Sequence, residues 1–423
     1  MAKRALILVE GHKGIGLLFV EAAERLGLHP VILSREPAQY DYLASGKIES
    51  IQVDTDNLDA LIRECSRLRA RYDIAGITGF VGDDESIYVT VGKLCRHFHL
   101  PGPDPASVER CCDKFVQRQL LAKANVPVPA YRLAVNAADI ESSAAEMGLP
   151  VIVKPAASNG SIGVRLCRNV DELAEHTNCL LEGKHMWRSS PRIIVEEFVE
   201  GPQYTVELMG NEVIGIVAAD YGPLPEFVYR QFTVPALLAN DKQVCIADIS
   251  LSCLRALDLG WGPTNIELRW TKAGPVVIEV NPRLAGAPDP QLIQASYGID
   301  LIMEHIKLVI GAPWDLRPKH SHIASARILV PERDGILDWD DGPSRAAAVP
   351  GVVEVRLYVK PKTLIVRRGD SRDCVGYVVA VSPSLAETEA ILQRAVDLID
   401  WSIAAFQTTA EQHSAAQPKS GPS

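Results

Sequence analysis

The chain has 423 residues, 47% of them hydrophobic and 23% charged, an ordinary balance for a globular protein of roughly two to four domains with a substantial core. Lysine and arginine number 43 against 53 aspartates and glutamates, a net charge of -10 with no basic block, which argues against a nucleic-acid partner. No uninterrupted apolar run reaches the roughly 18 residues of a membrane helix, and the short run after Lys3-Arg4 is cut at Glu10 before it can serve as a signal-peptide core.

The nine cysteines are odd in number and irregularly spaced, with no CxxC pair, so they read as reduced thiols of a cytoplasmic protein. The adjacent Cys111-Cys112 reads as packing.

In chain order, Ala5 to Val9 reads as a strand, Gly11-His12-Lys13-Gly14-Ile15-Gly16 as a glycine-rich turn, Leu17 to Leu26 as an amphipathic helix and Pro30 to Leu33 as a second strand. A strand at Ile74 to Thr78 and a helix at Ile87 to Phe98 continue the alternation, which predicts a parallel, Rossmann-like first domain over 1–102. The glycine spacing is GxxGxG, neither the GxGxxG of a dinucleotide site nor the GxxxxGK[ST] of a P-loop. It is expected to make a tight turn whose helix N-terminus meets a substrate carboxylate; a dehydrogenase on this domain is disfavoured by the same spacing.

Asp113-Lys114 opens a helix, and Val126-Pro127-Val128-Pro129 follows as an extended link. Val151 to Pro155 reads as a buried strand carrying Lys154, and Ser158-Asn159-Gly160-Ser161-Ile162-Gly163-Val164 as a loop whose backbone N–H groups can wrap a polyphosphate. A plain hairpin loop is the alternative, and Lys154 immediately upstream favours the phosphate reading. A further strand-like stretch runs from Ile193 through Glu196-Glu197-Phe198-Val199 to Glu207.

Ile266 to Trp270 and Val276 to Val280 are β-branched and aromatic runs joined by Thr271-Lys272-Ala273-Gly274-Pro275, a hairpin pattern. Alternation puts Glu279 and Asn281 on one face, and hairpin pairing can bring Glu267 across to it. Two carboxylates and an amide oxygen suit an incomplete Mg²⁺ cage, with Arg283 beside a transferred phosphate; charges on a solvated hairpin are the alternative. Pro282 ends the strand where a fixed loop can aim Arg283 back at a ligand.

Glu267, Glu279-Val280-Asn281-Pro282-Arg283 and Leu284-Ala285-Gly286 together resemble the C-terminal signature of the ATP-grasp superfamily, and the likeness extends over about residues 1–310. The resemblance implies an α/β and α+β ATP-grasp fold: a Rossmann-like domain 1–102, a first ATP-grasp part with a mobile lid subdomain at 103–195, a second part with the nucleotide and metal site at 196–320, and a small α+β cap at 321–407. The polar tail 408–423 is expected to be disordered.

The resemblance implies these roles. Lys114 and Lys154 hold ATP phosphates, with Ser158, Gly160, Ser161, Ile162 and Gly163 as the closing loop. Glu196 and the backbone of Glu197 and Val199 meet adenine, with Phe198 as an apolar wall. Gln203 stands where the family often has a ribose-binding carboxylate. Glu267, Glu279 and Asn281 bind Mg²⁺, with Mn²⁺ as the alternative, and Arg283 and Lys154 are catalytic. The reaction is carboxylate activation by ATP to an acyl phosphate, then attack by an amine to form an amide. NPRLAG and the cap most resemble the L-amino acid ligase branch. Substrate-facing candidates are Tyr221 to Pro235, with Glu226, Tyr229 and Arg230, and the stretch after Arg283. Asn265 replaces a His common in amino-acid ligases of this superfamily, and Ala287 replaces a glycine. Partners are small carboxylates and amines; a homodimer fits the resemblance but has no readable signature. The competing readings are a biotin carboxylase-like or purine-pathway enzyme and a non-catalytic ATP binder.

Overall fold

A computed structural model describes residues 2–80, 86–182 and 191–406. The expected tail at 408–423 lies outside them. Strands β1 (Lys3–Val9), β2 (His29–Ser34), β3 (Glu49–Gln52) and β4 (Tyr72–Gly79) form an all-parallel sheet in the order β3-β2-β1-β4, with helices Gly16–Arg25 and Leu58–Arg69 as crossovers and helix Ser86–Phe98 following β4. β1 and β2 carry long buried apolar runs because both faces are covered.

A second sheet holds β5 (Tyr131–Ala134), β6 (Val151–Pro155), β7 (Arg165–Cys167) and β8 (Ile193–Glu197) in the order β5-β8-β6-β7. β6 and β7 pair antiparallel, so the glycine loop at 158–164 is the hairpin connection that also borders the site.

β9 (Gln203–Met209), β10 (Glu212–Tyr221), β11 (Tyr229–Val234), β12 (Pro263–Thr271) and β13 (Gly274–Asn281) belong to an eight-stranded sheet. Beyond them run β14 (Ile323–Leu329), β15 (Gly335–Trp339), β16 (Val352–Leu357), β17 (Thr363–Ile365), β18 (Gly376–Ser382) and β19 (Trp401–Ala404). The large sheet is ordered β13-β12-β9-β10-β11-β14-β18-β16, so three strands of the expected cap continue the central sheet, and β17-β15-β19 make a small one. The last helix of the cap, Leu385–Leu398, gives way to Trp401–Ala404, which pairs with β15. Helical periodicity persists locally there, but an open strand edge in a distant segment takes the last residues.

The central strands owe their place to alternation. Val206, Leu208, Ile266, Leu268 and Val280 form one face, buried against Ile246, Cys253 and Leu254 of helix Asn240–Leu257 and against Leu121 of helix Lys114–Lys123. The opposite face carries Gln203, Thr205, Glu207, Asn265, Glu267 and Arg269. Another continuous core joins Leu6, Leu8 and Phe19 to Met209, Val217, Ala324 and Tyr377 through helices Asp289–Tyr297 and Leu301–Val309, fixing the first domain against the central sheet.

Candidate active site

Register decides which polar side chains meet. Glu267 pairs directly with Glu279, and Asn265 with Asn281, across β12 and β13; on the other side Glu267 faces Thr205 and Asn265 faces Glu207. Two polar rows therefore run across three strands on one face. The hairpin turn is tighter than its composition suggests: Thr271 pairs with Gly274, leaving Lys272-Ala273 as the turn.

β13 is the edge of its sheet, and helix Lys114–Lys123 covers that edge. Gln117 exchanges hydrogen bonds with Val280, donating to its carbonyl at 2.9 Å and accepting from its N–H at 2.8 Å, while Arg118 donates to Ile278 O. Asp113 caps the helix by accepting from Phe115 N and Val116 N, and Lys114 N donates to Ala156 O at 2.8 Å. The first helical residue is thus pinned to the end of β6, which brings Lys114 and Lys154 to one place.

Both lysines are buried and paired. Lys114 Nζ donates to Ser158 O at 2.5 Å and lies 3.0 Å from Glu279. Lys154 Nζ lies 2.5 Å from Glu196, whose other oxygen accepts from Arg118 Nε at 2.7 Å. Burial alone would push the Glu196 carboxyl up, but Arg118 and Lys154 hold it below the usual range; burial lowers Lys154. Glu196 thus fixes Lys154 and Arg118 through this chain of ion pairs. Of the hinge backbone, Glu197 N donates to Ala130 O and Val199 O accepts from Arg269.

These residues open onto a common cavity. Lys114, Lys154, Ser158, Gly160, Ser161, Glu196, Glu197, Phe198, Val199, Gln203, Glu267, Glu279, Asn281 and Arg283 all line it, whereas Ile162 and Gly163 do not. Gly163 O is held by His176 Nε2 at 3.0 Å, and Gly160, Ser161 and Gly163 take left-handed φ values of 58°, 59° and 74°, conformations that favour glycine. One end of the cavity is apolar, walled by Ile152, Val164, Phe198, Phe227 and Ile278. The Arg269 guanidinium sits 5.4 Å from the Phe198 ring centre and 5.7 Å from that of Phe227.

Gln203 is a hub. Its amide nitrogen lies 2.7 Å from Tyr221 Oη, 3.1 Å from Tyr229 Oη and 3.0 Å from Glu267 Oε2, three acceptors for its two protons, and its oxygen accepts from Arg269 at 3.2 Å. Tyr229 Oη also donates to Glu267 at 3.2 Å. The replacement of a ribose carboxylate by an amide therefore serves Glu267, beside which a second carboxylate would be repelled. Of the substrate-facing candidates, Tyr229 lies in this network, whereas Glu226 pairs with Arg367 at 3.0 Å and Arg230 packs beside Gly222.

Around Arg283 the balance reverses. Glu207 accepts from Asn265 Nδ2 at 2.6 Å and from the Ala285 backbone, yet burial pushes its carboxyl up to about 7. Glu267 is also pushed up to about 7, by burial and then by the charge of Glu279; Asp289 rises well above its usual range through burial and the charges of Glu207 and Glu267. Arg283 is the positive charge that offsets all three. Asn265 thus holds Glu207, which holds the loop carrying Arg283.

The glycine turn closes this end. His12 Nδ1 accepts from Gly14 N at 3.0 Å and Ile15 N at 3.2 Å, so the neutral ring carries its proton on Nε2; burial and then Arg283 lower its pKa to about 4. A Cβ on Gly14 would come within 3.1 Å of both Ala287 Cβ and Tyr358 Oη, so the turn packs closely against the loop after Arg283 and the C-terminal region. Arg118, Arg269, His12, Glu207 and Asp289 escape sequence reasoning. Arg269 alone had a local signal, sharing the Glu267 face by alternation.

Among the described residues no three His, Cys, Asp or Glu side chains are grouped to hold a metal by themselves, and no helix is long and apolar enough to cross a membrane. Cys65, Cys95, Cys167, Cys179, Cys245, Cys253 and Cys374 are free thiols.

Comparison with known proteins agrees with this geometry. Residues 147–290 match the model of the ATP-grasp domain, and 327–404 that of the L-amino acid ligase C-terminal domain 2. A Sinorhizobium fredii protein described as uncharacterized protein y4rH is 58% identical over 410 residues, 97% of this chain and 85% of its own length. Mouse carnosine synthase 1 is 28% identical over 413 residues, 90% of this chain, which spans only 49% of that relative. The crystal structure of L-amino acid ligase from Bacillus licheniformis superposes with a TM-score of 0.79 at 20% identity, covering 96% of this chain and 100% of that one, a likeness of fold. The chain belongs to the ATP-grasp ligases, enzymes that use ATP to form carbon–nitrogen bonds, and it carries the L-amino acid ligase type of C-terminal domain.

Proposed function

We propose that the protein joins the carboxylate of one small molecule to the amine of another, at least one of them an amino acid, through an acyl phosphate. The observation that carries this reading is the facing pair Glu267 and Glu279 with Asn281 in the next row, lining one cavity with Lys114, Lys154 and the glycine loop. The donor set fits Mg²⁺: two carboxylates and an amide are hard oxygen ligands, and a carboxyl raised to about 7 by burial and then by its neighbour's charge is one that a divalent cation would draw back to its ionised form. Glu267, Glu279 and Asn281 would hold the ion, which when bound supplies charge neutralisation on phosphate oxygens.

The chain's own residues do the rest. The apolar end formed by Phe198, Phe227, Ile152 and Ile278 takes the adenine. Lys154, fixed by Glu196, and Lys114, fixed by Ser158 and Glu279, hold the polyphosphate, and the 158–164 loop excludes water from it. Arg283, on the strand-end loop after Pro282, stands where charge develops on the acyl phosphate and on the tetrahedral oxyanion that follows. The two organic substrates are assigned to the Arg283 end of the cavity. The division at 102, 195, 320 and 407 is retained as our reading of the domains, with the lid formed by the β5-β8-β6-β7 sheet.

The test is ADP and phosphate release from Mg-ATP across single and paired amino acids and small di- and tricarboxylates, with mass spectrometry of active wells. A product with the mass of two substrates less water supports the proposal. ATP binding without release in any well would favour a non-catalytic nucleotide binder.

A further inference from the structure

The β17–β18 connection lies far along the chain from the nucleotide motifs, yet it reaches the tip of the glycine loop. Ser371 N donates to Gly160 O at 3.0 Å, and a Cβ built on Gly160 would stand 2.2 Å from Ser371 Oγ. The connection is itself rigidly built. Asp373, buried, accepts from Arg368 N at 2.7 Å and Gly369 N at 2.9 Å. Asp370, also buried, accepts from Arg372 N at 3.0 Å and from its guanidinium at 2.8 and 2.5 Å. Arg367 ties the outer side to Glu226 at 3.0 Å. Two buried carboxylates thus hold a loop whose outward-reaching N–H meets the carbonyl of a cavity-lining residue.

The glycine loop needs such a support. Three of its residues have positive φ, and its exit is tied at Gly163 by His176 while its tip is met by Ser371. The tip of a glycine loop without an anchor samples many conformations, and each nucleotide bound would have to order it.

We propose that the Arg367–Cys374 loop is a latch that positions the glycine loop over the polyphosphate, with Ser371 as its positioning residue. The C-terminal domain thereby sets nucleotide affinity as well as bordering the organic substrates. This rests on the reading that the cavity takes ATP.

Ser371→Pro is the direct test. Ser371 is the first residue of a short 3-10 turn and Asp370 before it is extended at φ -142°, so proline fits the backbone there while deleting the N–H. The readouts are hydrogen–deuterium exchange of the 158–164 amides in the free protein and the Kd for Mg-ATP. The variant is expected to speed exchange in that loop several-fold and to weaken Mg-ATP about fivefold, the worth of one hydrogen bond. Ser371→Ala keeps the N–H and retains wild-type exchange. Wild-type exchange and Kd in Ser371→Pro overturn the latch. If Ser371→Pro does not fold, Arg367→Ala carries the same test by releasing the loop from Glu226. A wild-type protein that binds no Mg-ATP defeats the nucleotide reading and this role with it, whereas exchange still distinguishes whether the contact itself is made.

Discussion

Glu196 and Glu207 are the same chemical group, buried almost equally at 2% and 1% exposure, and their carboxyls shift in opposite directions. Burial acts on both alike; partners separate them. Glu196 sits between Arg118 and Lys154, while Glu207 has an amide and a backbone N–H for company, with Asp289 also near and Arg283 as its offsetting charge. The phosphate end of the cavity is therefore charge-balanced in the protein itself. The Arg283 end carries negative charge in excess, the condition under which a bound cation gains most.

The comparison breaks most visibly if Glu196 loses a partner. Arg118→Ala should cost about 3–5 kcal/mol of stability by leaving a buried carboxylate half-paired and Ile278 O unsatisfied. Chemical denaturation measures it, and a loss below about 1 kcal/mol would mean that the pair is not a structural charge balance.

Next comes Glu279→Gln, which should lower turnover by about 100-fold or more through the weakened metal set. Its ion pair with Lys114 at 3.0 Å gives it a modest structural share as well, so a small drop in Tm accompanies the loss. Full turnover in the variant would remove Glu279 from the metal site.

The excess negative charge predicts a pH dependence. Glu267 is raised from 4.5 to about 7, so its contribution to folding stability is full below 4.5 and lost as pH rises through 7. Metal binding needs the ionised group, so the rise in Tm produced by Mg-ADP should be larger at about pH 8 than at about pH 6, with apparent Mg²⁺ affinity falling up to about tenfold per pH unit below 7. A Tm increment independent of pH would show that Glu267 does not bind the ion.

Tyr229→Phe has the smallest expected effect. It removes one hydrogen bond to Glu267 and leaves Gln203 in place, so the Mg²⁺ requirement should rise about fivefold or less, as judged by initial rates against metal concentration. A change of about 100-fold would instead assign the phenol a direct place in the chemistry.

Local pattern carried most of the fold. The parallel first domain, the strand ending in Lys154, the glycine loop and the metal hairpin are all written in neighbouring residues, because alternation and turn chemistry act over a few positions. The pairing of Glu267 with Glu279 was legible for the same reason, since a short hairpin leaves few registers. Glu196 and Gln203 were placed in the cavity that they line, but their intramolecular partners were not legible. Their partners Arg118, Tyr221 and Tyr229 come from other parts of the chain, and nothing local to Glu196 or Gln203 announces them.

The sequence by itself determined the class of chemistry: two lysines, a glycine loop, the oxygen-bearing side chains of Glu267, Glu279 and Asn281, and an arginine in a fixed order. Only the tertiary structure decided how those charges are shared. It set Arg118 under Glu196, Asn265 on Glu207, Gln203 against Glu267 and Ser371 on Gly160, because burial leaves a polar group no water and obliges it to take whatever partner the packing of distant segments supplies.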